Sequence, residues 1–345
     1  MIHFENDYLQ GAHPKILERL VETNMEKLSG YGFDEYSDEA RDLIRDMINR
    51  PRADIYFLNS GTQTNAIAIK SILRPYEGVI ACETAHVATQ EAGAIEAGGN
   101  KVITMPGHEG KISPEELEER LMEFRKDENN IHMVRPGLVF ISVTTELGTL
   151  YTKEELQRLY KTCQDYRVEL YIDGARLGYA LASEENDLTI KDIADNCDCF
   201  YIGGCKLGAL MGEALVFPEG TPYDDYTTYI KGQGALISKS RLLGVQFTAL
   251  LENDLSLYLE NGRHGNEMAA LLRKGLREKG YEEYVENSTN LIFLVVDQKT
   301  LKDLDEKIIY SKVGPYEKDK TKTIIRLATS WGTKEEDVKE ILNIL

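Results

Sequence analysis

Asp173 and Lys206 are the two side chains of this sequence whose types and placement could do chemistry together. The first lies in Leu170-Tyr171-Ile172-Asp173-Gly174-Ala175-Arg176-Leu177, the second in Tyr201-Ile202-Gly203-Gly204-Cys205-Lys206-Leu207-Gly208, each just past an apolar run. A lysine amine can condense with an aldehyde, and a carboxylate can keep a pyridine nitrogen protonated so that the ring accepts electrons. Taken singly, Asp173-Gly174 reads as a turn after a strand and Gly203-Gly204 as a bend with a surface lysine behind it. The pair, in this order, points to a pyridoxal 5'-phosphate site.

Such groups need a scaffold that brings them to one place. Ile55–Leu58, Val79–Cys82, Val102–Met105, Leu138–Val143, Leu170–Ile172, Cys199–Ile202 and Ala214–Phe217 read as seven strands. The segments between them carry helix signals, clearest at Ser113-Pro114-Glu115-Glu116 and Thr152-Lys153-Glu154-Glu155, where a capping hydroxyl precedes acids in the first turn. Alternation of this kind predicts a mostly parallel sheet with helices on both faces, and ligands there gather beyond the carboxyl ends of the strands. After Gly234 a helix-rich stretch runs to about Lys279, followed by an apolar run at Asn290–Val296, another at Ile324–Ala328 and a terminal helix. This predicts a large domain over 1–245, including an N-terminal arm, and a small C-terminal α+β domain over 246–345.

Two further strand ends offer site residues. Phe57-Leu58-Asn59-Ser60-Gly61-Thr62-Gln63 reads as strand, turn and helix, and the turn can cradle a phosphate. The glycine allows close approach, the hydroxyls of Ser60 and Thr62 can donate, and the free amides of the first helical turn point at the anion. Seen alone, Ser-Gly-Thr is a common way to start a helix. His86 also follows a strand and can stack on a ring at the same edge, although a hydrogen-bonded histidine at a helix start is an equally good reading of it in isolation.

Composition narrows the class. The chain has 345 residues, 42% hydrophobic, with a formal net charge of -18, which argues against a nucleic-acid partner. No apolar run approaches the roughly 18 to 20 residues of a membrane helix, and the first residues lack a secretory pattern. The five cysteines fall mostly inside apolar runs and suit reduced thiols, so a cytoplasmic location is expected. Cys197 and Cys199 lack metal-site spacing, and no metal is expected.

The motifs together resemble the L-threonine aldolase family of pyridoxal phosphate enzymes, within the aspartate-aminotransferase-like fold, or fold type I. The resemblance covers nearly the whole chain: Ser60-Gly61-Thr62 with Asn65, Ala85-His86 with Glu91-Ala92-Gly93-Ala94, Gly148-Thr149 before Tyr151, Asp173-Gly174-Ala175-Arg176-Leu177, and Lys206-Leu207-Gly208, in family order. It implies that Lys206 forms the internal aldimine, Asp173 pairs with the pyridinium, His86 stacks on the ring, and Ser60, Gly61 and Thr62 bind phosphate. Arg176 would lie near the cofactor's phenolic oxygen and the substrate carboxylate, Arg326 would receive that carboxylate, Asn6 would stand near it, and Lys231 falls where an arginine often reaches a neighbouring subunit's phosphate. A homo-oligomer, dimer or tetramer, with shared active sites is implied.

Some positions depart from the common pattern. Cys205 stands where a hydroxyl residue is usual, Glu5-Asn6-Asp7-Tyr8 replaces Arg-Ser-Asp-Thr, and Ser142-Val143-Thr144-Thr145-Glu146 lacks the histidine of the family's Glu-Asn-Thr-His-Asn. A divergent subfamily is therefore expected. The implied reaction is cleavage of L-threonine or L-allo-threonine to glycine and acetaldehyde through an external aldimine and a quinonoid, possible also for other β-hydroxy-α-amino acids. His86, with Thr145 or Glu146 as alternatives, would take the hydroxyl proton. The same Lys206 and Asp173 could instead serve β-elimination or transamination, and an inactive homologue is the remaining alternative. A nicotinamide oxidoreductase would want Gly-x-Gly-x-x-Gly after an early strand, and none opens this chain.

Overall fold

The computed structural model describes residues 1–345. All seven expected strands form one sheet: β1 (Asp54–Leu58), β2 (Glu77–Cys82), β3 (Lys101–Met105), β4 (Arg135–Ser142), β5 (Glu169–Asp173), β6 (Cys199–Gly203) and β7 (Glu213–Phe217). Their spatial order is β3-β2-β4-β5-β6-β7-β1. Neighbours from β3 to β6 run parallel, whereas β7 is antiparallel to both β6 and β1. Every residue of β2, β6 and β7 is buried, as expected for central strands covered on both faces. One consequence fixes the site: the carboxyl ends of β1, β4, β5 and β6 and the start of β7 share one edge.

Helices cover the faces through apolar stripes at helical spacing. Helix Lys153–Tyr166 buries Leu156, Leu159 and Cys163, and its start is held by a complete capping box between Thr152 and Glu155; such a cap contributes about 1 kcal/mol. Ser113 likewise caps Pro114–Lys126 by accepting the Glu116 amide.

The C-terminal sheet carries more strands than the apolar runs indicate. β8 (Glu282–Val285), β9 (Leu291–Val296), β10 (Ser311–Tyr316) and β11 (Asp319–Ala328) form an antiparallel sheet ordered β10-β11-β9-β8. The two additional strands, β8 and β10, are its edges. Edge strands need no continuous apolar run, and β10 even holds Gly314 and Pro315. The helix-rich stretch is a single run, Arg241–Glu278, broken by non-helical backbone over Glu252–Leu255. Near the start of the chain, Ile2–His3 pairs in parallel with Ile308–Ile309, and Phe4 joins the C-terminal core beside Ile292, Leu294 and Leu327.

Candidate active site

At the shared strand edge lies a cavity of about 380 Å³. Ser60, Gly61, Thr62, His86, Asp173, Arg176 and Lys206, from the ends of β1, β2 and β5 and the turn between β6 and β7, all line it. The same lining includes Asn65, Glu146, Tyr201 and Glu213.

Asp173 ends β5 and is buried with both oxygens occupied. Oδ1 accepts from the Tyr201 hydroxyl at 2.6 Å and the Ala175 amide at 2.9 Å, and Oδ2 accepts from Asn65 Nδ2 at 3.0 Å. Gly174 makes this turn possible, since a Cβ there would run into the Tyr201 carbonyl oxygen. Asn65 is itself fixed: its Oδ1 accepts from the Tyr171 hydroxyl at 2.9 Å and its Nδ2 also donates to Glu91 Oε1 at 2.7 Å. The same Glu91 oxygen meets His86 Nδ1 at 2.7 Å. One continuous chain of hydrogen bonds thus runs from Asp173 to the His86 ring and leaves Nε2 as the ring nitrogen free of that contact.

The helix Gly61–Ile72 begins at the cavity with Ser60 as its N-cap, yet Ser60 makes no side-chain capping bond. Its hydroxyl and the first-turn amides are available to an anion. A Cβ at Gly61 would come 3.2 Å from the Tyr201 hydroxyl, so the backbone there lies close against the wall. Lys206 forms no ion pair. Burial, then the neighbouring Arg176, push its amine below the ordinary lysine value, against the pull of Asp7, Asp173 and Glu213, which favours the neutral, nucleophilic form. An uncapped helix start, a fixed carboxylate and an unpaired lysine with lowered basicity fit the phosphate, the ring nitrogen and the aldehyde of pyridoxal phosphate respectively.

Arg176 is tied to Asp7 by two parallel bonds, Nε to Oδ2 at 2.7 Å and Nη2 to Oδ1 at 3.0 Å. Asn290 adds a bond to Asp7 Oδ2 at 2.9 Å. Burial alone would raise the Asp7 carboxyl, but Arg176 and Lys206 outweigh it and hold it well below the usual range. Glu146 accepts from Ser142 Oγ at 2.7 Å and the His86 amide at 2.8 Å, and burial still raises its carboxyl above the ordinary value. Thr145 does not line the cavity; its hydroxyl is 2.7 Å from that of Thr149.

Three expected residues are not in the lining. Arg326 Nη2 donates to the Glu5 carbonyl at 2.9 Å and to Ser311 Oγ at 3.1 Å, while its Nε is buried without a partner. Asn6 Oδ1 accepts the Tyr8 amide at 3.2 Å. Lys231 lies on helix Tyr226–Gly232 with its ammonium 4.5 Å from the centre of the Tyr31 ring. Conversely, Asp7, Tyr201 and Glu213 had not been singled out for a role by sequence reasoning. Only Glu213 left a trace, as an acid directly before the apolar run Ala214–Phe217.

The family described as beta-eliminating lyase matches residues 5–299. The chain is 30% identical to the low specificity L-threonine aldolase of a Pseudomonas species, covering 98% of this chain and 95% of that protein. It is 29% identical, over the same shares, to the low specificity L-threonine aldolase of Pseudomonas aeruginosa. Among solved structures it is similar to a threonine aldolase of Leishmania major, with a TM-score of 0.94 and 41% identity over 100% of this chain and 98% of that one. An aspartate aminotransferase of Thermus thermophilus shares the fold, at a TM-score of 0.72 and 15% identity over 100% and 90%.

Proposed function

Because this chain belongs to the beta-eliminating lyase family, we propose that it is an aldolase that cleaves L-threonine or L-allo-threonine to glycine and acetaldehyde with pyridoxal 5'-phosphate. The observation that carries this reading is the meeting of Lys206, Asp173, His86 and the uncapped Ser60-Gly61-Thr62 turn in one cavity. When bound, the cofactor supplies an aldehyde for the amino group and a ring that accepts the electrons of the broken Cα–Cβ bond.

The protein's own groups do the rest. Lys206 is the amine that attaches the cofactor. Asp173, fixed by three donors, holds the ring nitrogen's proton in place. Ser60, Gly61 and Thr62 bind the phosphate, and Cys205 beside them is only a weak donor. Arg326 has an unpartnered Nε with which to meet the substrate carboxylate, and a planar guanidinium suits that task. Arg176 and Asn6 complete that end.

For the hydroxyl proton we assign His86, whose Nδ1 is held by Glu91 so that Nε2 can accept. Glu146 also lines the cavity, where burial raises its carboxyl above the ordinary value and two donors already occupy it. Thr145, turned towards Thr149, is the weakest of the three. Lys231 is assigned to a neighbouring subunit's phosphate within a homo-oligomer, dimer or tetramer. Exposed Tyr8, Leu9, Leu210 and Met211, apolar side chains around the site, support such an assembly. The five free cysteines fit a cytoplasmic setting.

The deciding experiment incubates the cofactor-loaded protein with each threonine diastereomer. Acetaldehyde and glycine in equal amounts are expected, together with loss of the visible cofactor band and of activity in Lys206→Ala. Pyruvate with ammonia, or exchange of an oxo acid, would move the reaction to elimination or transamination.

A further inference from the structure

Tyr8 enters none of the steps above, yet it lines the cavity together with Arg176 and Lys206. It stands on the N-terminal arm, whose backbone is pinned on both sides of it. Before it, the Glu5 carbonyl accepts from Arg326 Nη2 at 2.9 Å and from Ser311 Oγ at 2.8 Å, and Asp7 is held by Arg176 and Asn290. After it, Gln10 Oε1 accepts from Ser330 Oγ at 3.0 Å, and the His13 amide donates to the Gly208 carbonyl at 2.8 Å. The Tyr8 amide is taken by Asn6 Oδ1. The side chain has no such tie: its hydroxyl makes no hydrogen bond, and the residue is 54% exposed.

The rest of the lining gives this placement its meaning. Its hydrophobic members are Tyr8, Ala175, Tyr201 and Cys205. Ala175 and Cys205 are small, and Tyr201 is buried with its hydroxyl on Asp173 at 2.6 Å. Tyr8 is therefore the one large apolar surface of the cavity that a ligand can still cover. Asp7, its neighbour in the chain, is bonded to Arg176 at the end assigned above to the substrate carboxylate. The carboxylate and Cβ share one Cα, so the substituent on Cβ lies within reach of the arm.

We propose that Tyr8 is a specificity-determining residue: its ring packs against the substituent that the substrate carries on Cβ, and so sets how strongly an aromatic substituent is favoured over the methyl group of threonine. Covering the ring removes apolar surface from water, and an aromatic substituent adds an aromatic pair. With two rotatable bonds on a pinned backbone, the ring adjusts to substituents of different size at little entropic cost. The inference rests on the aldolase reading and on the carboxylate end assigned there. A tyrosine that serves a subunit contact alone is the competing account.

The test gives L-threonine and L-threo-β-phenylserine to the cofactor-loaded wild type, Tyr8→Ala and Tyr8→Phe, and reads the ratio of the two kcat/KM values. Tyr8→Ala should lower the value for phenylserine about three- to tenfold more than that for threonine, chiefly through KM, while Tyr8→Phe keeps the wild-type ratio within about twofold. The side chain is exposed and bonds to nothing, so both variants are expected to fold. A ratio unmoved in Tyr8→Ala overturns the proposal, and if the oligomeric state changes at the same time, Tyr8 belongs to the subunit contact. A ratio that falls as far in Tyr8→Phe overturns it too, giving the effect to the hydroxyl, as does a wild type that rejects phenylserine. L-Phenylalanine and L-alanine, titrated through the change in the visible cofactor band, supply a second measurement: the dissociation constant of the first should rise about three- to tenfold more than that of the second in Tyr8→Ala. That titration needs no cleavage. A wild type that binds both but makes no acetaldehyde and glycine from threonine sinks the aldolase reading, and Tyr8 is then judged by the two dissociation constants.

Discussion

The two walls of the cavity are built on opposite plans. On the sheet side, Asp173, Asn65, Glu91 and His86 form one hydrogen-bonded chain whose residues stand on or just past β2, β5 and the helix after β1. On the arm side Arg176 is held by Asp7 through two parallel bonds, and Arg326, outside the cavity lining, has a buried Nε left over. The sheet wall is preorganised, because hydrogen bonds between rigid elements already hold Asp173, Asn65 and the His86 ring. The arm side instead depends on a segment far away in sequence, since Asp7 meets Arg176 across 169 residues.

The largest expected break in that contrast comes from Asp7→Asn. It leaves the buried Arg176 charge without its partner, a loss of about 3 to 5 kcal/mol, readable by denaturant unfolding. The pH dependence has a definite sign. The folded-state value of Asp7 is depressed, so its stabilisation is complete above the unfolded value of about 3.9 and is lost as pH falls through the folded one. The wild type's melting temperature should therefore fall more steeply than the variant's between about pH 4 and pH 2; equal slopes would show that Asp7 is not the anion tying down the arm.

Next in size is Asp173→Asn on the preorganised wall. Losing a charge-assisted hydrogen bond of about 1.5 to 3 kcal/mol lowers kcat roughly 10- to 150-fold. Folding should suffer less, since the amide oxygen still accepts from Tyr201 and Ala175 and only the contact with Asn65 Nδ2 turns repulsive. An unchanged kcat with reduced stability would make Asp173 structural. The smallest effect is expected from Arg326→Lys, which keeps the charge and loses the fork: KM for L-threonine rises about tenfold, the equivalent of one such bond near 1.5 kcal/mol, with kcat within about threefold. A fall in kcat at constant KM would place Arg326 in the chemistry instead of in binding.

The sequence was most legible where local pattern and chemistry coincide. All seven strands of the main sheet are apolar runs, and His86, Asp173 and Lys206 sit just past parallel ones, so their convergence follows from that topology, whereas Ser60 joins them because β7 runs back between β6 and β1. What escaped was of two kinds. The edge strands β8 and β10 have no apolar run to announce them. Asp7 and Glu213 owe their placement to contacts that no spacing encodes: Asp7 meets Arg176 and Asn290 across 169 and 283 residues, and Glu213 enters the cavity only because β7 turns back between β6 and β1. A buried acid is recognisable as such only after its neighbours are known.

The Asp7–Asn290 bond spans 283 residues, and this imposes an order of events on a chain made from one end. While the sheet wall is being assembled from residues already released by the ribosome, the arm can meet Arg176 through Asp7 but cannot be fully held, because both Asn290 and the Ile308–Ile309 pairing partner are still unmade. The sheet wall of the cavity is therefore complete in sequence before the last contacts that hold the arm can form.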